Sequence, residues 1–296
     1  EGAAKALQDP QLSGALRREA ADVRQRMDRQ LRHNRHFLEE HRLLVTESIR
    51  KLSSELGVLL STWSRGLPEP SRTGRLMPEK AYRVGLLLDP YVFVRESDER
   101  EMRIRVELLL DASQSRMNSQ ERIASEAYII ARSLTGCHVP VSVSAFRSLR
   151  GYTVLEQLKD AGTGDCAGIL RSSAGGWNRD GLALKCMRYL IKEDQQHKDD
   201  LRLLLILTDA SPNDTVAGSS FGKNYEGSVA VDDAAAAVKA LRSDGVRTAA
   251  VFHGSPSHLE NVCRIYGKEY VRVFSLRQYA ESVVDLLQKI LQESGV

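Results

Sequence analysis

Two short stretches of this chain could together hold a metal ion. In the first, Asp111-Ala112-Ser113-Gln114-Ser115 offers one carboxylate and two hydroxyls at alternate positions, directly after the run Val106-Glu107-Leu108-Leu109-Leu110. In the second, Thr208-Asp209 follows the run Leu203-Leu204-Leu205-Ile206-Leu207. Runs of this kind read as buried strands, and in open α/β sheets ligands gather in the crevice beyond the carboxyl ends of the strands. If the two strands are neighbours, Asp111 and Asp209 face each other across that crevice. Carboxylates mixed with hydroxyls form a hard, all-oxygen donor set, which suits Mg²⁺ or Mn²⁺ and not zinc or copper. Mg²⁺ keeps several of its waters, so Asp111, Ser113, Ser115 and Asp209 suffice to hold it with one position left for an incoming acidic group. Serine hydroxyls bring no charge and leave the cation much of its pull on such a group, so the pattern predicts docking of a partner and not catalysis.

The elements that must position these loops follow from periodicity. Apolar stretches alternate with helical patterns from residue 103 onward, which is the signature of βαβ units. Strands are expected at 104–110, 139–146, 152–158, 201–208, 246–252 and 270–274, with helices at 119–134, 182–192, 231–243, 258–266 and 278–291. This predicts an α/β fold, a Rossmann-like, doubly wound and mostly parallel sheet with helices on both faces. Ahead of it, Val23, Met27, Leu31, Leu38, Val45, Ile49, Leu52, Leu56 and Leu59 recur close to a heptad seam. That spacing reads as one long amphipathic helix or a helical hairpin. Its stripe needs cover from the following domain, from another copy through self-association, or from an upstream segment. The helix breakers between Arg65 and Gly74 mark a linker, giving a helical segment at 1–64, a linker and connecting segment at 65–102, and the α/β domain at 103–296.

Bulk composition narrows the function classes. Lys and Arg total 42 against 39 Asp and Glu in 296 residues, too even a balance for a dedicated nucleic-acid surface. No apolar run approaches the roughly 20 residues of a membrane span, and no signal sequence is readable, so neither anchoring nor export is expected. The four cysteines, Cys137, Cys166, Cys186 and Cys263, are widely spaced, and a reducing cytoplasm suits them. Enzyme motifs are missing as well. A phosphatase of the Asp-x-Asp type needs an acid where Ser113 stands, and there is no Gly-x-Ser-x-Gly elbow. The stretch from Gly218 to Asn224 is one residue short of a phosphate loop and has Asn224 where a Ser or Thr would bind Mg²⁺, so ATP hydrolysis is not expected.

Asp-x-Ser-x-Ser after a buried strand, with Thr-Asp after another about a hundred residues on, resembles the metal-ion-dependent adhesion site of the von Willebrand factor A (VWA) family. The resemblance runs from about Arg103 to the end. Members usually add a threonine a few residues before an Ala-Leu pair that opens a helix. Here that loop reads Gly175-Gly176-Trp177-Asn178-Arg179-Asp180-Gly181-Leu182-Ala183-Leu184, which puts Asn178 at the threonine's place and Asp180 two residues later. Either could join the ligands, and Asp180 would make the shell more anionic. Gln114, Trp177, Arg179 and Asp214 flank this set as the expected partner-binding rim. The Asn-x-Asp-Gly-x-Ala-Leu wording, Thr208-Asp209-Ala210-Ser211-Pro212-Asn213-Asp214 and Tyr225-Glu226-Gly227 are similar to the subgroup of the cobaltochelatase subunit CobT and the nitric oxide reductase activation protein NorD. Ala210 stands where such proteins more often carry glycine. The resemblance implies a non-enzymatic, cation-dependent partner of a MoxR-type AAA+ ATPase that helps mature or metal-load a client enzyme; the alternatives are an adhesion or ligand-binding VWA domain with no ATPase link, or a metal-free scaffold of the same fold.

Overall fold

The computed structural model describes residues 14–64, 69–95, 103–149, 151–215, 224–273 and 275–292. The apolar seam of the first segment forms two helices, α1 (Gly14–Glu40) and α2 (Arg42–Ser64), interrupted only at His41. Hydrogen bonds of 3.0 Å from His41 N to Phe37 O and from Val45 N to His41 O carry the helical ladder through the break. The segment is therefore one long helical rod and not a hairpin. Between 69 and 95 lies a small antiparallel sheet of β1 (Glu69–Ser71), β2 (Arg75–Leu76) and β3 (Phe93–Arg95), in the order β1-β3-β2, with the short helix α3 (Tyr82–Leu86) in its connection.

The main domain alternates β4 (Ile104–Asp111), α4 (Gln120–Gly136), β5 (Val141–Leu149), β6 (Tyr152–Lys159), α5 (Asp180–Glu193), β7 (Leu201–Thr208), α6 (Gly227–Ser243), β8 (Arg247–Phe252), α7 (Leu259–Tyr266), β9 (Tyr270–Arg272) and α8 (Leu276–Gln292). Its six strands are ordered β6-β5-β4-β7-β8-β9, and every neighbouring pair is parallel except β5 with β6. Only two residues join β5 to β6, too few for a crossover, so that pair must run antiparallel. The order reverses at β4 and β7, which start the two halves of a doubly wound sheet, as the alternating pattern predicted. Phe274, expected at the end of the last strand, and residues 218–223 of the phosphate-loop-like stretch lie outside the described residues.

The continuous apolar runs of β4 and β7 are explained by two cores. On one face, Leu108, Leu110, Leu205 and Leu207 pack with α4, α8 and the N-terminal rod, whose Val45, Leu52 and Leu56 are buried in the same cluster. On the other, Leu109, Leu204 and Ile206 pack under α5, α6 and α7. Side chains two apart share a face, so a strand covered on both sides is largely apolar. Two buried exceptions, Glu107 on β4 and Arg202 on β7, pair with each other (Arg202 Nη1 to Glu107 Oε1, 3.2 Å). Each fully buried leucine contributes roughly 1.5–3 kcal/mol. Gly245, at φ 84°, ends α6 in the left-handed region and lets the chain reverse into β8. Among the described residues, no helix is long and apolar enough to cross a membrane.

Candidate metal centre

β4 and β7 pair in parallel with Leu110 opposite Leu207, so the Asp111 loop and the Thr208-Asp209 loop leave the sheet side by side at the switch point. In the first loop Ser113 N donates to Asp111 Oδ1 (2.9 Å), and the next residues, Gln114–Arg116, make a single tight helical turn. That turn brings Ser115 Oγ within 3.0 Å of Ser113 Oγ and lets it donate to Asp209 Oδ2 at 2.6 Å. In the second loop Asp209 Oδ1 accepts from Ser211 N (3.1 Å), while Thr208 Oγ1 accepts from Ala210 N (2.9 Å). Ala210 has φ 54°, the left-handed conformation that glycine adopts without strain, so alanine keeps the glycine-type turn at some cost.

A third loop closes the site and is stitched to the first. Gly175 N donates to Ala112 O (2.8 Å) and Gln114 N to Gly176 O (2.9 Å), while Trp177 and Ser148 exchange two backbone hydrogen bonds. Gly176 has φ 77°, and a Cβ there would stand 2.4 Å from Ser148 O, so this close approach needs glycine. Asn178 exchanges backbone bonds with Asn213, its Oδ1 accepts from Asn213 N (3.0 Å), and its Nδ2 donates to Asp180 Oδ1 (3.1 Å). Both ends of the Asn178 side chain are thus engaged in holding the loop. Asp180, in the first turn of α5, is turned inward and only 2% exposed.

Burial and like charge dominate the electrostatics. Burial, helped by the charge of Asp209, pushes the Asp111 carboxyl up to about 7. Asp180 is raised well above the usual carboxylate range, first by burial and then by Asp111 and Asp209. Asp111 Oδ2 and Asp180 Oδ2 are buried and accept no hydrogen bond. Orphaned carboxylate oxygens of this kind are costly, and a hard cation between them would remove both the repulsion and the unmet acceptors. Among the described residues, no three His, Cys, Asp or Glu side chains are grouped as a chelating set. An ion here would therefore draw on the Ser113 and Ser115 hydroxyls and on water as well as on the acids, and the donor set fits Mg²⁺ or Mn²⁺.

One residue of the site was not legible in the sequence. Arg116, which follows Ser115, is only 4% exposed, and its Nη1 lies 3.4 Å from Asp209 Oδ2. An arginine beside an exposed serine reads as a surface residue, and only the tight turn at 114–116 carries it inward. The residues expected at the rim divide. Gln114 and Trp177 are exposed, Arg179 is half-buried with its guanidinium 5.1 Å from the centre of the Tyr225 ring, and Asp214 is fully buried. Backbone pairing of Asp214 N to Tyr225 O (2.8 Å) draws that last residue into the fold and away from the rim.

No protein-family model matches the chain, and no curated protein does. Solved structures with a similar arrangement include manganese-loaded TRAP protein of Plasmodium vivax, with a TM-score of 0.45 and 15% identity over 64% of this chain and 74% of that one. The VWA domain of SpRpn10 gives a TM-score of 0.43 and 12% identity over 61% of this chain and 96% of that one. An aerotolerance-related membrane protein from Bacteroides fragilis, bearing multiple mutations to serines, gives 0.41 and 16% over 63% and 99%.

Proposed function

We propose that this chain is a VWA-type, non-enzymatic protein-binding domain that presents Mg²⁺ or Mn²⁺ to an acidic group of a partner. The observation that carries the reading is the 2.6 Å hydrogen bond from Ser115 Oγ to Asp209 Oδ2. Two loops from adjacent strands meet there, with Ser113 Oγ and Asp111 in the same cluster. We assign Asp111, Ser113, Ser115, Asp180 and Asp209 to the ion, directly or through water, and Asn178 to positioning Asp180. When bound, the ion supplies electrostatic attraction for a carboxylate. The chain's own residues orient it and keep the floor of the site dry, while the exposed Gln114 and Trp177 border the opening.

The Asn-x-Asp-Gly wording supports a narrower role, as the cytoplasmic partner of a MoxR-type AAA+ ATPase acting on a client metalloenzyme. Four free cysteines suit a reducing compartment. A MoxR-type ATPase from the same genome should be retained by the immobilised chain in Mg²⁺ and released by EDTA, and Asp111→Ala should abolish retention. Retention that survives both treatments would refute the cation-dependent reading. A second reading, a metal-free scaffold, is favoured by one observation: the Arg116 guanidinium already stands beside Asp209. Calorimetric titration with Mn²⁺ separates the two, since the scaffold binds none.

A further inference from the structure

The buried floor of the site holds three carboxylates, Asp111, Asp180 and Asp209, and one guanidinium, Arg116. Arg116 Nη1 faces the same Asp209 oxygen that accepts from Ser115 Oγ. Its Nε and Nη2 are also buried, yet neither has a hydrogen-bond partner. Structural arginine–carboxylate pairs typically lock through two parallel hydrogen bonds, and this one does not. Charge, and not fork geometry, ties Arg116 to the cluster, where it also works against the upward push on Asp111.

We propose that Arg116 sets the charge balance of the metal site, offsetting one of its three carboxylates so that a divalent ion completes a neutral cluster. The inference rests on the cation reading above and names the residue that tunes it. Without the guanidinium, a doubly charged ion held directly or through water would stand among three carboxylates, with negative charge to spare. That ion would be bound more tightly, and its attraction for an outside carboxylate would be blunted. With Arg116 in place the hold on the ion is weaker, and its pull on a partner's acid is preserved. Arg116 thus trades cation affinity for partner affinity, and Asp180 is the acid that makes the trade necessary.

The test is a charge cycle read by calorimetric Mn²⁺ titration of the full chain. Arg116→Met should tighten Mn²⁺ binding at least about tenfold, and Asp180→Asn should weaken it by a similar factor. The double variant, matched in charge to the wild type, should return to within about threefold of it, and Arg116→Lys, which keeps the charge without the fork, should do the same. If Arg116→Met does not fold in EDTA, the double variant and Arg116→Lys still decide the matter. Unchanged or weaker Mn²⁺ binding in Arg116→Met, or Arg116→Lys binding as tightly as Arg116→Met, overturns the proposal while the cation site stands. Binding in Arg116→Met but not in the wild type upholds the role of Arg116 and removes the cation from the native protein. Absence of binding in both refutes the two readings together.

Discussion

Gly181 and Asp233 approach so closely that a methyl group at position 181 would lie 2.0 Å from Asp233 Oδ2 and 3.0 Å from the Asp233 carbonyl carbon. α5 and α6 are in contact here, and the contact is fastened by polar groups. Tyr225 Oη donates to Asp233 Oδ2 (2.9 Å) and accepts from Gly181 N (3.3 Å), while Lys185 Nζ reaches Asp233 Oδ1 (2.5 Å). The glycine of the Asn-x-Asp-Gly motif is thereby explained by packing: it lets α5 begin hard against α6, which fixes the turn that carries the buried Asp180 inward.

Gly181→Ala should accordingly destabilise the fold by about 2 kcal/mol, because backbone as well as side-chain atoms of Asp233 would have to move. Urea unfolding followed by circular dichroism reads the change, and an unaltered midpoint would show that the helices separate freely. Displacing the start of α5 should also weaken Mn²⁺ binding, since Asp180 is the residue just before Gly181.

Cation binding should stabilise the folded chain, because the unfolded chain has no such cluster. At a free Mg²⁺ or Mn²⁺ concentration near 100 times the dissociation constant, the gain is about 2.7 kcal/mol. Asp209→Ala should remove that gain, as it deletes the carboxylate that accepts from Ser115 Oγ. Thermal melts with and without EDTA check this, and equal cation-induced shifts in wild type and variant would place the ion elsewhere.

The doubly wound sheet could be read from sequence because burial on both faces makes the central strands largely apolar, as in Leu203–Leu207 of β7. That β4 and β7 are neighbours is only a condition there, and their register supplies it. Residues whose role depends on tertiary packing could not be read. Arg116 and Asp214 are polar residues in loops, with nothing local to say that they turn inward. The strands between 69 and 95 are two or three residues long, too short for alternation to register. Spacing puts Asn178 at the threonine's place and Asp180 two residues later, and nothing in the sequence says that both ends of the Asn178 amide are engaged, with Asn213 and with Asp180.

Glu107 gives a pH dependence with a definite sign. Burial holds its carboxyl at about 7 in place of 4.5, although Arg202 pulls the other way. Between those values the folded chain keeps a proton that the unfolded chain has released. The stability contributed by this group is therefore fully present below about pH 4.5 and lost as the pH rises through 7. Glu107→Gln should flatten that loss, so that its stability relative to the wild type improves by on the order of 2 kcal/mol between about pH 4.5 and pH 8. Urea midpoints measured across this range provide the comparison, and parallel curves for the two proteins would contradict it.

The N-terminal rod is joined to the α/β domain by a buried amide. Asn34, fully buried on α1, donates from Nδ2 to Leu170 O (2.8 Å) and Ser172 O (2.9 Å), and its Oδ1 accepts from Gln30 Nε2 (2.9 Å). Gln30 Nε2 in turn reaches Glu121 Oε1 on α4 (2.8 Å). Asn34→Leu leaves two carbonyls without their donor and should cost about 2–3 kcal/mol. Leu52→Ala, at a fully buried position on α2, should cost about 2–5 kcal/mol through the cavity it opens. If rod and sheet form one cooperative unit, both substitutions will speed hydrogen exchange of the β7 amides, which lie in the centre of the sheet. Faster exchange confined to α1 and α2, with β7 unaffected, would instead make the rod a separately folding attachment.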